Sequence, residues 1–320
     1  MRPYFIAAIL LASSLPASAG PGVGECIVLP ANNIWNQRID SLPVDQNSDR
    51  YVETIGADIN LHPDFASGLY EGAPIGIPYR FVPKDQPKVP INFVAFGEEE
   101  AIPDESDAGS YPIPADAPIE GGPDSLDDRH VIVVQEQSCT LYELYKAVPN
   151  EDGSWNAVGA ARFDLEANDL RPDGWTSADA AGLPIFPGLV RHEEVETGEI
   201  AHALRFTVPK TRRAYVWPAR HYASRSEDEA LPPMGLRFRL KADVDISGFS
   251  EKNQVILRAL KTYGMFLADN GSPWFLSGAP DDNWDNDELR ELRRIKGADF
   301  EAVDQSSLMV NPDSGEARAD

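Results

Sequence analysis

Long apolar runs are nearly absent from this sequence. The one candidate, Ile6–Leu11 in "MRPYFIAAILLASSLPASAG", is too short to span a bilayer. With Arg2 before it and Ala17-Ser18-Ala19 after it, the stretch reads as a signal peptide over 1–19. Cysteine is scarce: Cys26 and Cys139 are the only two. Neither directly follows the cleavage site, which argues against a lipid anchor. In an oxidising compartment the pair is expected to form one disulfide; two free buried thiols are the alternative. Positive charge is in deficit, with 28 Lys+Arg against 52 Asp+Glu and a net charge of -24. That balance argues against nucleic acid and anionic lipid as partners. The expectation is a monomeric protein that is secreted or periplasmic.

Familiar catalytic signatures are missing too. There is no G-x-S-x-G, so a nucleophile elbow is unsupported. Neither G-x-x-x-x-G-K-[ST] nor a strand-led G-x-G-x-x-G occurs, so no phosphate cradle is expected. "HEEVE" (His192–Glu196) starts like H-E-x-x-H but lacks the second histidine that zinc needs. "DDNWDNDE" (Asp281–Glu288) suggests structural calcium, yet Asn286 and Leu292 stand where an EF-hand requires glycine and glutamate. No cofactor is therefore expected.

What is present is a β-rich pattern. Twenty-seven prolines are scattered along the chain, above the usual ~5%. Residues 20–127 look irregular, with "VPINFVAF" (Val89–Phe96) the clearest strand and 98–128 a long surface excursion. The regular core spans 128–304, so 20–304 forms one β-rich domain, and 305–320 reads as a frayed tail. "RHVIVVQEQSCTLYELYKA" gives two strands around a polar turn, and "SWNAVGAARFDL" a third. A connection over 166–198 is long but holds Trp, Leu, Ile and Phe, so it packs down. Within it, "PGLVRHEEVETG" suits a short helix with Pro187 near its start and Gly198 past its end. "GEIAHALRFTVPKTRRAYVWPARHYAS" (Gly198–Ser224) reads as a hairpin, and so does "MFLADNGSPWFLSG" around Asp269-Asn270-Gly271. "SEKNQVILRALKTYG" is a helix capped by Ser250, and Asp285 caps a shorter one. The expected fold is mainly β: a two-sheet sandwich, jelly-roll-like or concanavalin-like, with one or two peripheral helices.

The Gly198–Ser224 segment concentrates chemistry. Strand alternation puts Arg205 opposite an apolar face, and does the same for Arg237 and Arg239 in "LRFRLK". If both strands share a sheet, these guanidiniums converge on a groove for an anionic ligand. The plain alternative is pairing with the surplus carboxylates. His202 falls on the core side of its strand. His221 with Tyr222 is a candidate base and acid. His130 opens a strand, and His62 carries no further signal. Glu143 lies mid-strand, where a charge needs a partner or a cleft. Asp173 and Asp179 flank Trp175; with Glu143 they could serve as the two carboxyls of a glycosidase. Trp175 and Trp217 are candidate sugar platforms. Each of these also has a structural reading as a core, cap or turn residue.

The Gly198–Ser224 segment and "ALKTYGMFLADNG" (Ala259–Gly271) resemble an uncharacterised family of exported bacterial β-sandwich proteins. The resemblance covers the C-terminal two thirds of the chain and implies fold and export, with no activity attached. The expected function is a secreted glycan-active enzyme, either a polysaccharide lyase or a glycoside hydrolase. A non-catalytic carbohydrate-binding or cell-envelope protein is the alternative.

Overall fold

The computed structural model describes residues 22–318; the candidate leader lies outside them. Three sheets of four or more strands carry the fold. The large sheet has six strands in the order Phe300–Val303, Arg237–Leu240, Met265–Asn270, Leu204–Val208, Phe275–Ser277, His62–Asp64. The central sheet runs Gly159–Asp164, Thr140–Tyr145, Val131–Gln135, Tyr79–Val82. A smaller sheet runs Val148–Pro149, Trp155–Ala157, Val89–Phe93, Ser110–Tyr111. The protein is thus mainly β with peripheral helices. Its larger sheets number three, and four of the strand pairings are parallel.

The central sheet forms where β-branched and aromatic residues predict it. Val131, Val133, Tyr142, Leu144 and Ala160 pack into a small core with Ile91, Tyr111 and Trp155 of the smaller sheet. Ile132, Val134, Leu141, Ala161 and Phe163 face the main core instead. Burial on both faces explains why "VIVV" shows no polar alternation. The turn after it carries Cys139, which is bridged to Cys26 across 113 residues.

Both expected hairpins are corrected. Leu204–Val208 inserts between the two limbs of "MFLADNGSPWFLSG", parallel to Met265–Asn270 and antiparallel to Phe275–Ser277. Gly271 permits the close approach, since a Cβ there would lie 2.8 Å from Thr207 Oγ1. The second half of Gly198–Ser224 forms no strand; Pro209 and Pro218 cannot donate to a ladder. Its one β-bridge joins Tyr215 to Met234, and Trp217 and Arg220 tie it to the segment over 312–314.

Four α-helices lie among the described residues. Helix α1, Ser48–Ile55, was not evident from pattern; it buries Tyr51, Val52 and Ile55, and Ser48 Oγ accepts from Ala302 N. The expected helix after Pro187 splits into a short turn, Phe186–Gly188, and α2, His192–Thr197. Between them Val190 bonds to Ser277 and Ala279, which holds the chain extended. Helix α3, Glu251–Thr262, is capped by Ser250 as expected, and α4, Asn286–Leu289, by Asp285. Residues 305–318 are packed rather than frayed: Leu308 and Ala317 are buried, and Ala317 N donates to Asn32.

Candidate functional site

The connection over 166–198 does pack down. Ala178, Ala181, Leu183, Ile185, Phe186, Leu189 and Val190 are buried in the core that also holds residues of the large and central sheets. A buried loop needs partners for its backbone polar groups. The central sheet supplies Glu143, whose carboxylate accepts from Ile185 N and Phe186 N, both at 2.9 Å. Burial pushes Glu143 up to about 7, against the pull of those two N–H groups. It is an internal anchor, not one of two carboxyls open to a glycan.

The arginine groove is likewise corrected. Arg237 and Arg205 do lie on one face of one sheet, with Phe266 between them. Their guanidiniums, however, are buried and engaged. Arg237 donates to the carbonyls of Tyr263, Ile34 and Gln37. Arg239 binds Glu301 and the carbonyls of Ile39 and Leu42. Arg205 grips Asp179 through two 2.9 Å bonds and Ser277 Oγ at 2.6 Å. Each guanidinium is thus spent on internal partners.

A different convergence emerges around "TSADAAG" (Thr176–Gly182). Three successive residues hold three of the predicted side chains. His130 Nε2 meets the Ala178 carbonyl at 2.9 Å, Arg205 clasps the Asp179 carboxylate, and His221 Nδ1 meets the Ala180 carbonyl at 3.1 Å. Ser177 Oγ tightens the turn by donating to the Leu183 carbonyl. Gly182, at φ 71°, is needed because a Cβ would lie 2.5 Å from the Trp175 carbonyl.

Acids crowd one side of this turn. Thr207 is registered with Asp269, and Ser277, which Arg205 binds, with Asp64. This puts Asp269 near the carboxyl ends of the parallel strands Leu204–Val208 and Met265–Asn270, while Asp64 lies on the far side of Arg205, toward the amino end of Leu204–Val208, because Phe275–Ser277 runs antiparallel to it. Carboxyl ends are where ligands collect in mixed and parallel sheets. Glu120 approaches from the 98–128 excursion and meets His130 Nδ1 at 2.5 Å. Burial opposes charge on His130, but Glu120 outweighs it and lifts the imidazole to about 10. Both its nitrogens face acceptors, so His130 is a fixed cation and neither base nor sugar ligand.

Asp269 lacks such a partner. Its carboxylate accepts only from Asn270 N, and among the described residues no Lys or Arg pairs with it. Burial, then the charge of Asp179, pushes it up to about 8 against the pull of Arg205. Burial raises Asp179 as well, against the pull of Arg205, and each carboxylate disfavours charge on the other. The bidentate guanidinium keeps Asp179 ionised, so the proton sits on Asp269. Asp64 is pushed up to about 6 by burial and by Glu120. Its side chain is 53% exposed, so water screens that shift and Asp269 is the firmer case.

His221, the predicted base, faces the Ala180 carbonyl with Nδ1 at 3.1 Å and Glu105 with Nε2 at 3.9 Å. Its ring stacks on Tyr222, which stacks on Tyr215, at 5.2 and 6.4 Å between centroids. Tyr222 Oη is 3.2 Å from Arg213 Nε. Asp173 accepts from Tyr215 Oη, and Trp175 lies under Arg171.

The remaining candidates sit elsewhere. His202 is buried between the Ala203 carbonyl, Glu194 and Arg191. Burial opposes the Glu194 charge, but Arg191 and His202 outweigh it and bring Glu194 down to about 2. Trp217 donates to the Ser314 carbonyl and packs on the main core.

Asp269, Asp64, Glu120 and Glu105 were not singled out by sequence. Asp269 read as a turn residue, although a carboxyl ending the apolar run Met265–Ala268 is a signal of its own. Among the described residues no cluster of His, Cys, Asp or Glu is arranged to hold a metal ion. No protein-family model matches the chain, and no curated protein or solved structure is similar to it at a significant level.

Proposed function

We propose that the protein is an exported glycoside hydrolase in which Asp269 donates the proton. The observation that carries this reading is a carboxyl without a cationic partner, half-buried beside the Arg205–Asp179 ion pair at the ends of two parallel strands. A carboxylic acid that keeps its proton at neutral pH can protonate a glycosidic oxygen. His221, with its stacked tyrosines, borders the same turn and supplies a polar, aromatic wall. The intramolecular disulfide supports export, and no helix among the described residues is long and apolar enough to cross a membrane. A lyase loses support, because the arginines meant to neutralise a uronate are internal.

The test is release of reducing ends from a panel of neutral and acidic polysaccharides. Reducing ends should rise without new ultraviolet absorbance. Asp269→Asn should lower the rate by about 100-fold or more with little change in melting temperature. No release from any glycan, or full activity in Asp269→Asn, contradicts the reading. The exposed stack Tyr215–Tyr222–His221 favours a second reading, a non-catalytic glycan binder. It predicts retention on a glycan gel with unchanged chain length.

A further inference from the structure

Beside the acid cluster lies a second feature that the proposed chemistry does not use. A recess of about 200 Å³ opens between the His62–Asp64 strand and α4 with the turn that follows it. Phe65, Ile75 and Leu289 line it with apolar surface, while Asn286, Arg290 and Arg293 add polar groups. His62 forms its link to the acids, being two residues from Asp64 on the same strand.

Arg293 is unusual in this chain. Acids outnumber bases by 52 to 28, yet no carboxylate pairs with Arg293 among the described residues. Its Nη2 instead donates to His62 Nδ1 at 3.0 Å. An imidazole that accepts at Nδ1 is neutral and carries its proton on Nε2, which lies 4.0 Å from Asp64. Burial and the Arg293 charge favour that neutral form. Stacking on Phe275, at 4.0 Å between centroids, holds the ring in place. The guanidinium therefore keeps most of its five donors for something else. Arg290 stands at the same recess, held only by an exposed pair with Asp287.

We infer that this recess binds the carboxylate of an acidic sugar residue, with Arg293 as its anchor and Phe65, Ile75 and Leu289 against the sugar ring. A planar guanidinium fork matches a carboxylate in two bonds, and an apolar wall suits the C–H face of a pyranose. The recess has room for one ring. Its place on the edge strand of the sheet that carries Asp269 makes it an outlying subsite that selects substrates with uronic-acid residues. That last step rests on the hydrolase reading; the binding does not.

The experiment is a titration of the full chain with D-galacturonic acid, D-galactose and inorganic phosphate, followed by NMR shifts of the histidine side chains. The uronate should bind and move the His62 resonances. Galactose and phosphate should bind at least about tenfold more weakly. Arg293→Gln should weaken the uronate by about tenfold or more, and Asp269→Asn should leave it unchanged. Equal binding of galactose shows that the carboxylate is not read, and overturns the inference. Equal binding of phosphate shows a general anion site, and an unaltered Arg293→Gln shows the wrong anchor; either overturns it as well. Uronate binding as expected in a protein that cleaves no glycan leaves the inference standing and removes the hydrolase reading.

Discussion

Arg237 and Arg205 stand two strands apart in one row of the same sheet face, and they do opposite things. Both are buried. Arg237 ends on three main-chain carbonyls, two of them from Ile34 and Gln37 in the N-terminal segment. With no acid beside it, burial lowers its pKa to about 9. Arg205 ends on Asp179 and Ser277, with Asp269 and Glu120 also near enough to feel its charge. Burial opposes its charge, but the Asp179 carboxylate outweighs burial and raises the pKa. A cation held by carbonyls staples one segment to another. A cation held by a carboxylate among further carboxylates polarises its surroundings and leaves a proton to place. The residue type is the same; the difference lies in what the chain lays over it.

The contrast can be broken by mutation. Arg237→Ala should have the largest effect, on the order of 4 kcal/mol or more, because it leaves a cavity and three carbonyls without donors. Urea denaturation measures it; a loss within about 1 kcal/mol would show that water replaces the guanidinium. Arg205→Met should cost about 3–5 kcal/mol by stranding the Asp179 charge. Adding Asp179→Leu should restore most of that loss, since the partner charge is gone. No such rescue exists for Arg237, whose partners are backbone. If the double variant is no better than Arg205→Met, the two arginines are alike after all.

A smaller effect concerns pH. The folded pKa of Glu143 is raised from 4.5 to about 7, so the native state binds more protons and stability falls as pH rises between those values. His130, lifted from 6.5 to about 10, contributes stability that is complete below 6.5 and lost as pH rises through 10. Glu194, depressed from 4.5 to about 2, works at the other end: its contribution is present above 4.5 and lost as pH falls through 2. Melting temperature should therefore peak at about pH 5 and decline on both sides. Glu143→Gln should flatten the decline between pH 5 and 8 by about 3 kcal/mol at most. An unchanged slope would place the titrating group elsewhere.

Much of the local structure was legible in the sequence. Runs of β-branched and aromatic residues around a polar turn gave the central hairpin, cap residues gave α3 and α4, and the two cysteines gave the bridge. The shared face of Arg205 and Arg237 followed from parity alone. The packing of the 166–198 connection followed from its apolar residues. Strand partners did not follow, because Leu204–Val208 takes its neighbours from 265–277, and nothing local announces an inserted strand. The site was half legible for the same reason. His130, Asp179, Arg205 and His221 carry unusual chemistry in their own segments. Asp269 and Asp64 gain theirs only when the fold sets them beside an ion pair whose members are 26 residues apart.

The most direct test is a carboxyl carbon NMR titration of the wild-type protein against Asp269→Asn. One aspartate should titrate near the value of about 8 set by burial and by Asp179, and its signal should vanish in the variant. If every aspartate is already ionised well below neutral pH, Asp269 holds no proton to donate and the acid–base site at Arg205 is contradicted.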